Sequence, residues 1–235
     1  MNNAIETKKL ANVTGYIVPD YDAPNPRKEF DQLGTMLCDH PRYDLGDEKG
    51  DFSDFIDTVA PSDDSARLER IADAQDYFFD RPYMLAQLEK IKDATIDKIL
   101  QSAVYLNLYL YDHSGITISA APYSCSWDSG QVGVIFMPLK TAAENWPSLS
   151  GADLESAALN CLRAEVAEYD QFLTGDVYGY IIEDKQGETL DSCFGFFGLD
   201  IAIQEMEPAL QWCEKEAIEN TARDDQWLEA DLIAA

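Results

Sequence analysis

A strict alternation of side-chain types marks the middle of the sequence. From Ala103 to Tyr111, aliphatic residues alternate with tyrosines and an asparagine, which is the period-two pattern of a half-buried β-strand. Two short turns, DHSG and WDSGQ, introduce the further strand candidates ITISAAPYS and VGVIFMP. Because turns this short join antiparallel neighbours, residues 103–138 are predicted to form consecutive antiparallel strands.

Apolar residues with helical spacing lie on both sides of this segment. Residues 62–102 have the pattern of two helices, broken where Pro82 follows Arg81. Residues 152–173 and 199–223 have the pattern of two longer helices, both rich in acidic side chains. The sequence therefore predicts helices before and after the strands.

Two more strand candidates, DVYGYIIED and TLDSCFGFFG, are joined by a KQG turn. Strands and helices do not alternate as regular β-α-β units, so we predict an α+β fold with one mixed, mainly antiparallel sheet flanked by helices. We expect a single domain over residues 1–235. Within it, residues 1–102 are expected to form a lobe rich in loops and helices, and residues 103–235 the sheet and the two acidic helices.

The charge of the chain is its strongest indication of function. Against 44 acidic residues stand 17 basic ones, which gives a net charge of −27 at pH 7. Such a field repels phosphate backbones over a Debye length. We therefore expect no direct binding to nucleic acid, and the acidic charge favours a basic protein surface as the partner.

The sequence also bears on where the protein acts. Its apolar runs are far shorter than the roughly 20 residues that cross a bilayer, and its polar N-terminus does not resemble a secretion signal. The five cysteines are scattered and include no CxxC pair, which fits a reducing compartment. The expected location is the cytoplasm, without membrane attachment.

Acidic side chains concentrate towards the C-terminus, where residues 151–235 hold −16 of the charge. Helical carboxylates three or four positions apart stand about 5–6 Å from each other, and DNA carries one charge per about 1.7 Å of axis. The two helices could therefore imitate DNA, although a solvated acidic face is ordinary for an exposed helix. The candidate partner-binding residues are Asp153, Glu155, Glu165, Glu168, Asp170, Glu205, Glu207, Glu214, Glu216 and Glu219, with Asp224 and Asp225 beyond them.

The two histidines each lie in a polar, turn-like segment, as does Cys125. One hypothesis is nucleophilic catalysis by Cys125, activated by His113 and oriented by Asp128. A second is a zinc site formed by Cys38, His40, His113 and Cys125, which has suitable ligand types but lacks the usual paired spacing. The third is structural, with these residues tying loops to the sheet.

Nucleotide- and calcium-binding motifs are missing from the sequence. It contains no GxxxxGK[ST] loop, no GxGxxG between a strand and a helix, and no EF-hand loop. We therefore predict no cofactor.

Three segments, NPRKEFDQLGTMLCDHPRYDLGDE, LYLYDHSGITISAAPYSCSWDSGQVG and DVYGYIIEDKQGETLDSCFGFFG, carry a family resemblance. They are similar to uncharacterised proteins of bacteriophages and other mobile elements, with LGTM-C-H-RY-LGDE, LYDHSG, C-WDSGQVG and DSC-GF blocks in the same order. The resemblance covers roughly residues 25–198. It implies one co-folded unit and a joint role for Cys125, Trp127, Asp128 and Gly130, but no particular activity.

Charge and resemblance together suggest a counter-defence protein. In this hypothesis the chain is an acidic DNA mimic that inhibits a host restriction or CRISPR effector by occupying its basic DNA channel. The alternative is a cysteine-dependent hydrolase or transferase that uses Cys125 and His113. A mimic should gather its acids on one continuous face, whereas the enzyme should place both histidines near Cys38 or Cys125 in a concave site.

Overall fold

The computed structural model describes residues 4–125 and 127–234, and for residues 224–234 it describes the backbone alone. Within these residues the chain forms nine strands and seven helices, which confirms the α+β class. The strands are β1 (Glu6–Lys9), β2 (Val13–Pro19), β3 (Thr35–Cys38), β4 (Glu48–Lys49), β5 (Ala103–Asp112), β6 (Ile116–Ser119), β7 (Ser129–Pro138), β8 (Val177–Asp184) and β9 (Thr189–Phe197). The helices are α1 (Pro26–Glu29), α2 (Phe52–Val59), α3 (Ser62–Tyr77), α4 (Pro82–Leu100), α5 (Leu139–Asn145), α6 (Gly151–Thr174) and α7 (Leu199–Ala234).

The strands are divided between two sheets. One has the order β1-β2-β8-β9 and is antiparallel throughout; the other has the order β4-β3-β7-β5-β6, with only the β3–β4 pair parallel. The strands predicted within residues 103–138 are confirmed as β5, β6 and β7. The expectation of a single sheet is wrong, because β8 pairs with β2 along all seven residues of β2.

The chain separates into two compact units. We call the described residues 4–25 and 171–234 the terminal unit, and residues 26–170 the central unit. This division lies elsewhere than the lobe boundary expected at residue 102. Its origin is the β2–β8 pairing, which joins the start of the chain to its C-terminal third.

The core of the terminal unit lies between its sheet and α7. Val13 and Ile17 of β2 are buried with Met206 and Leu210 of α7. Gly15 makes this close contact possible, since a Cβ on it would stand 2.9 Å from the sulfur of Met206. Because side chains alternate between the two faces of β2, its apolar residues share one face of the sheet, and α7 packs against that face.

The core of the central unit is built on its five-stranded sheet. Helices α2 and α4 cover one face, where Phe55 packs on Phe136 with ring centroids 4.7 Å apart. On the opposite face, Met36 and Ile135 are fully buried, on the side where Leu162 of α6 lies close to Gly34. The break predicted at the proline is confirmed, because α3 ends at Tyr77 and α4 begins at Pro82.

Candidate functional site

A polar cleft of about 310 Å³ lies at one end of the sheet in the central unit. The C-terminal ends of β3 and β5 both pair with the N-terminal half of β7, so antiparallel register brings three distant segments together there. The lining residues are Asp39, His40, Arg42, Leu110, Asp112, Trp127, Asp128, Ser129, Gly130, Gln131 and Val132. The segments singled out for their histidines and for the WDSGQ turn therefore meet in one place.

Asp128 is the meeting point of the predicted catalytic residues. The Cys125 thiol lies 3.8 Å from Asp128 Oδ2 and donates to it, and His113 Nδ1 lies 3.6 Å from the same oxygen. The backbone N–H of Asp112 also donates to the Asp128 carbonyl at 2.8 Å. The structure thus brings Cys125, His113 and Asp128 together, with the carboxylate placed between thiol and imidazole.

This order of groups differs from that of a working thiol nucleophile. A catalytic cysteine gives its proton to an imidazole, which a carboxylate then orients. Here the thiol donates to Asp128, and the same carboxylate oxygen lies between the thiol and the imidazole of His113. The three residues predicted as neighbours are thus brought together, but in an order that differs from that of a catalytic cysteine.

The other cleft contacts hold the loops against the sheet. Arg42 forms an ion pair with Asp112, and the Tyr43 hydroxyl donates to Asp112 Oδ1 at 3.3 Å. The His40 ring stacks on Tyr43 with centroids 4.9 Å apart, while its Nδ1 accepts from the Arg42 backbone N–H at 3.3 Å. His40 is therefore engaged in the fold of its own loop, as the structural interpretation requires.

The proposed zinc site does not form. Cys38 is buried inside β3, and burial followed by the nearby Asp47 charge raises the pKa of its thiol to about 12. A thiol of this kind stays protonated at neutral pH, whereas zinc binds the thiolate. Among residues 4–125 and 127–234, no group of three or more histidine, cysteine, aspartate or glutamate side chains is placed to hold a metal ion, so Cys38, His40, His113 and Cys125 are not such a set.

Glu165 does not belong to an exposed acidic surface. Its side chain is 7% exposed and pairs with Arg27, at 2.8 Å between Oε2 and Nη1. Its Oε1 accepts from the backbone N–H groups of Leu33 and Gly34 at 2.9 and 3.1 Å. The inclusion of Glu165 among the partner-binding acids was therefore wrong, because its charge is used inside the central unit.

Arg27 was not predicted as an important residue. Its side chain is fully buried, also pairs with Asp47, and donates to the Gly34 carbonyl at 2.7 Å. Burial lowers the pKa of this guanidinium, but hydrogen bonds to Asp47 and Glu165 outweigh it and leave the pKa raised. Local sequence patterns gave no signal for Arg27, because Asp47 is 20 positions and Glu165 is 138 positions away along the chain.

The remaining α6 candidates fall into two groups. Glu168 accepts a hydrogen bond from Gln32 at 2.8 Å, and Asp170 accepts from the Thr117 hydroxyl and from the Ile118 backbone N–H at 2.6 and 2.8 Å. Both acids fasten α6 to its surroundings in the central unit. Asp153 and Glu155, in the first turns of α6, are exposed.

In the terminal unit, two of the α7 candidates also have structural contacts. Glu207 pairs with Lys8 of β1, and Glu214 accepts from the Asn12 backbone N–H at 2.9 Å and from its side-chain amide at 2.8 Å. These contacts attach one side of α7 to the β1–β2 hairpin. They leave Glu207 and Glu214 less free to meet a partner.

The other candidates lie on the opposite side of α7. At 100° per residue, Glu205, Glu216 and Glu219 fall on one side of the helix together with Trp212, and we call these three acids the glutamate stripe. Within the described residues, no basic side chain pairs with Glu205 or Glu216, and Glu219 has only an exposed contact with Lys215 at 3.7 Å. The side chains of Asp224 and Asp225 lie outside the described residues.

The acidic candidates thus belong to two units instead of one face. Asp153 to Asp170 lie in the central unit, and Glu205 to Glu219 in the terminal unit. Residues 1–25 and 171–235 carry a formal charge of −13. The predicted acids with few structural contacts are therefore Asp153 and Glu155 in the central unit and the glutamate stripe in the terminal unit.

Comparisons with known proteins add no relative. No family model matches this chain, and no curated protein or solved structure matches it significantly. Among the helices of the described residues, none combines the length and the apolar character needed to cross a membrane. Charge and geometry are therefore the basis for a functional proposal.

Proposed function

We propose that this chain is a counter-defence protein of a bacteriophage or another mobile element, acting in the cytoplasm of a bacterial host. Its terminal unit binds the basic DNA channel of a restriction or CRISPR effector and competes with DNA. The observation that supports this most is the glutamate stripe, in which Glu205 and Glu219 are exposed and Glu216 is half-buried, in a part of the chain with charge −13. The family resemblance supports the phage origin.

The spacing of the stripe determines how it acts on a basic surface. Glu216 and Glu219 are one helical turn apart, while Glu205 is roughly 16 Å away along the axis at 1.5 Å per residue. The Debye length is about 8 Å at physiological ionic strength, so Glu216 and Glu219 act together and Glu205 acts separately. Attraction of this kind speeds association and weakens as salt is added.

The test uses purified restriction and CRISPR effectors, with inhibition of DNA binding as the readout. In the variant Glu205→Lys, Glu216→Lys, Glu219→Lys we expect inhibition to weaken by about 10- to 100-fold, because each reversal changes the interaction free energy with a basic surface by roughly 0.5–1 kcal/mol. The wild type should lose affinity between about 50 and about 200 mM salt. No inhibition of any effector by the wild type would reject the proposal.

A matched control separates position from net charge. Asp73 and Asp76 in the last turns of α3, and Asp80 in the turn that follows it, are exposed acids of the central unit. Changing all three to lysine alters the net charge equally. We expect inhibition by this control variant to stay close to the wild type. Equal loss in both variants would mean that bulk charge, and not the stripe, is responsible.

A cysteine-dependent enzyme is the second candidate function. The observation in its favour is that Cys125 and His113 both contact Asp128 at the polar cleft. The same assay tests it with Cys125→Ala. Inhibition that survives the lysine variant of the stripe and vanishes with Cys125→Ala would favour covalent chemistry over DNA mimicry.

A further inference from the structure

A groove of about 630 Å³ lies in the terminal unit between α7 and the turn that joins β8 to β9. Leu190 and the buried Cys213 form its apolar part, and Trp212 stands beside them with 60% of its surface exposed. An indole exposed to this extent has a free face for a ligand. The full lining is Asn12, Asp184, Lys185, Gln186, Leu190, Trp212, Cys213, Glu216, Ala217, Asn220 and Thr221.

The charges that face this groove are mainly negative. Glu216 lies in the lining, and Asp184 lines it while its Oδ1 accepts from the turn N–H groups of Gln186 and Glu188 at 2.8 and 2.9 Å. The basic residue of the lining, Lys185, is directed at Asn12 with 3.0 Å between Nζ and Oδ1.

The Cys213 thiol lies at the apolar part of the groove, near two carboxylates. Burial raises its pKa first, and the charges of Asp191 and Glu216 raise it further. An apolar floor, an exposed indole and nearby carboxylates are together the features of a site for an organic cation.

We infer that this groove binds an arginine side chain presented by a basic protein. A guanidinium is planar, stacks on an indole face and donates several N–H groups to a carboxylate, here Glu216, whereas a lysine ammonium is a compact and strongly hydrated point charge. The inference rests on the proposed function and adds to it the chemistry of the partner. It also explains why a tryptophan stands among the acids of the glutamate stripe.

The test compares two cationic peptides of equal length and charge, one of arginine and one of lysine, with the full-length protein. Binding is measured by calorimetry and by the indole N–H signals in ¹H–¹⁵N spectra. We expect the arginine peptide to bind about fivefold or more tightly than the lysine peptide and to shift the Trp212 signal. Electrostatic attraction alone predicts equal affinities.

Two tryptophans provide a matched pair of variants. Trp212→Ala should remove the preference for arginine while leaving lysine-peptide binding nearly unchanged, and Glu216→Gln should weaken arginine-peptide binding. Trp127 is 94% exposed and lies in the central unit, so Trp127→Ala should leave the preference intact. Circular dichroism and thermal unfolding show whether each variant is folded.

Several results would overturn the inference. The first is equal affinity for the two peptides, and the second is an arginine preference that persists in Trp212→Ala. The third is self-association in the ultracentrifuge that depends on Trp212, which would assign the groove to a second copy of the chain. The peptide assay contains no defence complex, so its failure is distinct from failure of the proposed function. An arginine preference without inhibition of any effector would retain the groove and reject the counter-defence role.

Discussion

At the scale of single residues, the buried guanidinium of Arg27 has the most demanding environment in the central unit. Removing its charge from water costs several kcal/mol, and this cost is offset only when carboxylates and carbonyl groups surround it. Asp47, Glu165 and the Gly34 carbonyl supply those partners. The acids around Arg27 are therefore needed for folding and are not available for recognition.

Replacing Glu165 tests this conclusion directly. Glu165→Gln keeps the shape of the side chain but leaves the Arg27 charge with one carboxylate fewer. We expect a loss of about 3 kcal/mol in the free energy of unfolding, measured by urea denaturation.

Asp153→Asn on the same helix is the control, since that exposed side chain should change the unfolding free energy by about 0.5 kcal/mol or less. If both variants unfold at the same urea concentration, the Arg27–Glu165 pair is not important for stability.

At the scale of helices and strands, the terminal unit depends on how closely α7 approaches β2. The side chains of Met206 and Leu210 lie over Gly15, where even a Cβ would be 2.9 Å and 3.2 Å from them. A larger residue requires the ends of these two flexible side chains to shift or the helix to move away. We therefore expect the position of α7 on β2 to depend on Gly15. The glutamate stripe, which lies on α7, depends on it in turn.

Gly15→Ala is expected to destabilise the protein by about 1–3 kcal/mol through overpacking. Gly130→Ala in β7 is a fitting control, because a Cβ there meets no atom within 4 Å. Thermal and urea unfolding of the two variants provide the comparison. Equal stability of both variants would show that α7 can move away from β2 at little cost.

Sequence patterns predicted pairs of strands that lie close together along the chain, but not pairs that lie far apart. The alternation in Ala103–Tyr111 predicted β5, and the short DHSG turn predicted its antiparallel pairing with β6. The second short turn predicted β7 as the neighbour of β6, whereas β7 pairs with β5. The pairing of β2 with β8 joins segments about 160 residues apart, and no local pattern indicates such a partner. The assignment of Glu165 failed for the same reason, since its partner Arg27 is 138 positions away.

The sequence predicted which residues form the candidate site, but not how their side chains are arranged within it. Sequence segments identified His113, Cys125 and Asp128 as neighbours, because each lies at a turn next to one of the strands β5, β6 and β7. The placement of the carboxylate between thiol and imidazole depends on side-chain directions within those turns. Those directions follow from the register of β5 against β7, which periodicity alone does not give.

At the scale of the whole molecule, a net charge of −27 has two effects that depend on different properties. Self-repulsion among the acids destabilises the folded chain and grows with its net charge. Recognition of a basic surface depends instead on which acids are exposed and share a side of an element. An ordinary acidic protein shows the first effect alone, whereas a DNA mimic shows both.

Salt dependence separates these two effects. Added sodium chloride should raise the unfolding temperature of the wild type, because screening reduces self-repulsion. The lysine variants of the glutamate stripe and of Asp73, Asp76 and Asp80 each remove the same amount of negative charge, so both should show an equally reduced rise. In the effector assay only the stripe variant should lose inhibition.

If the two variants differ in their salt-dependent stability as well, the stripe affects folding, and its effect on inhibition cannot be assigned to contact with a partner. Equal stability curves combined with unequal inhibition are the result expected of a surface that acts through the position of its charges.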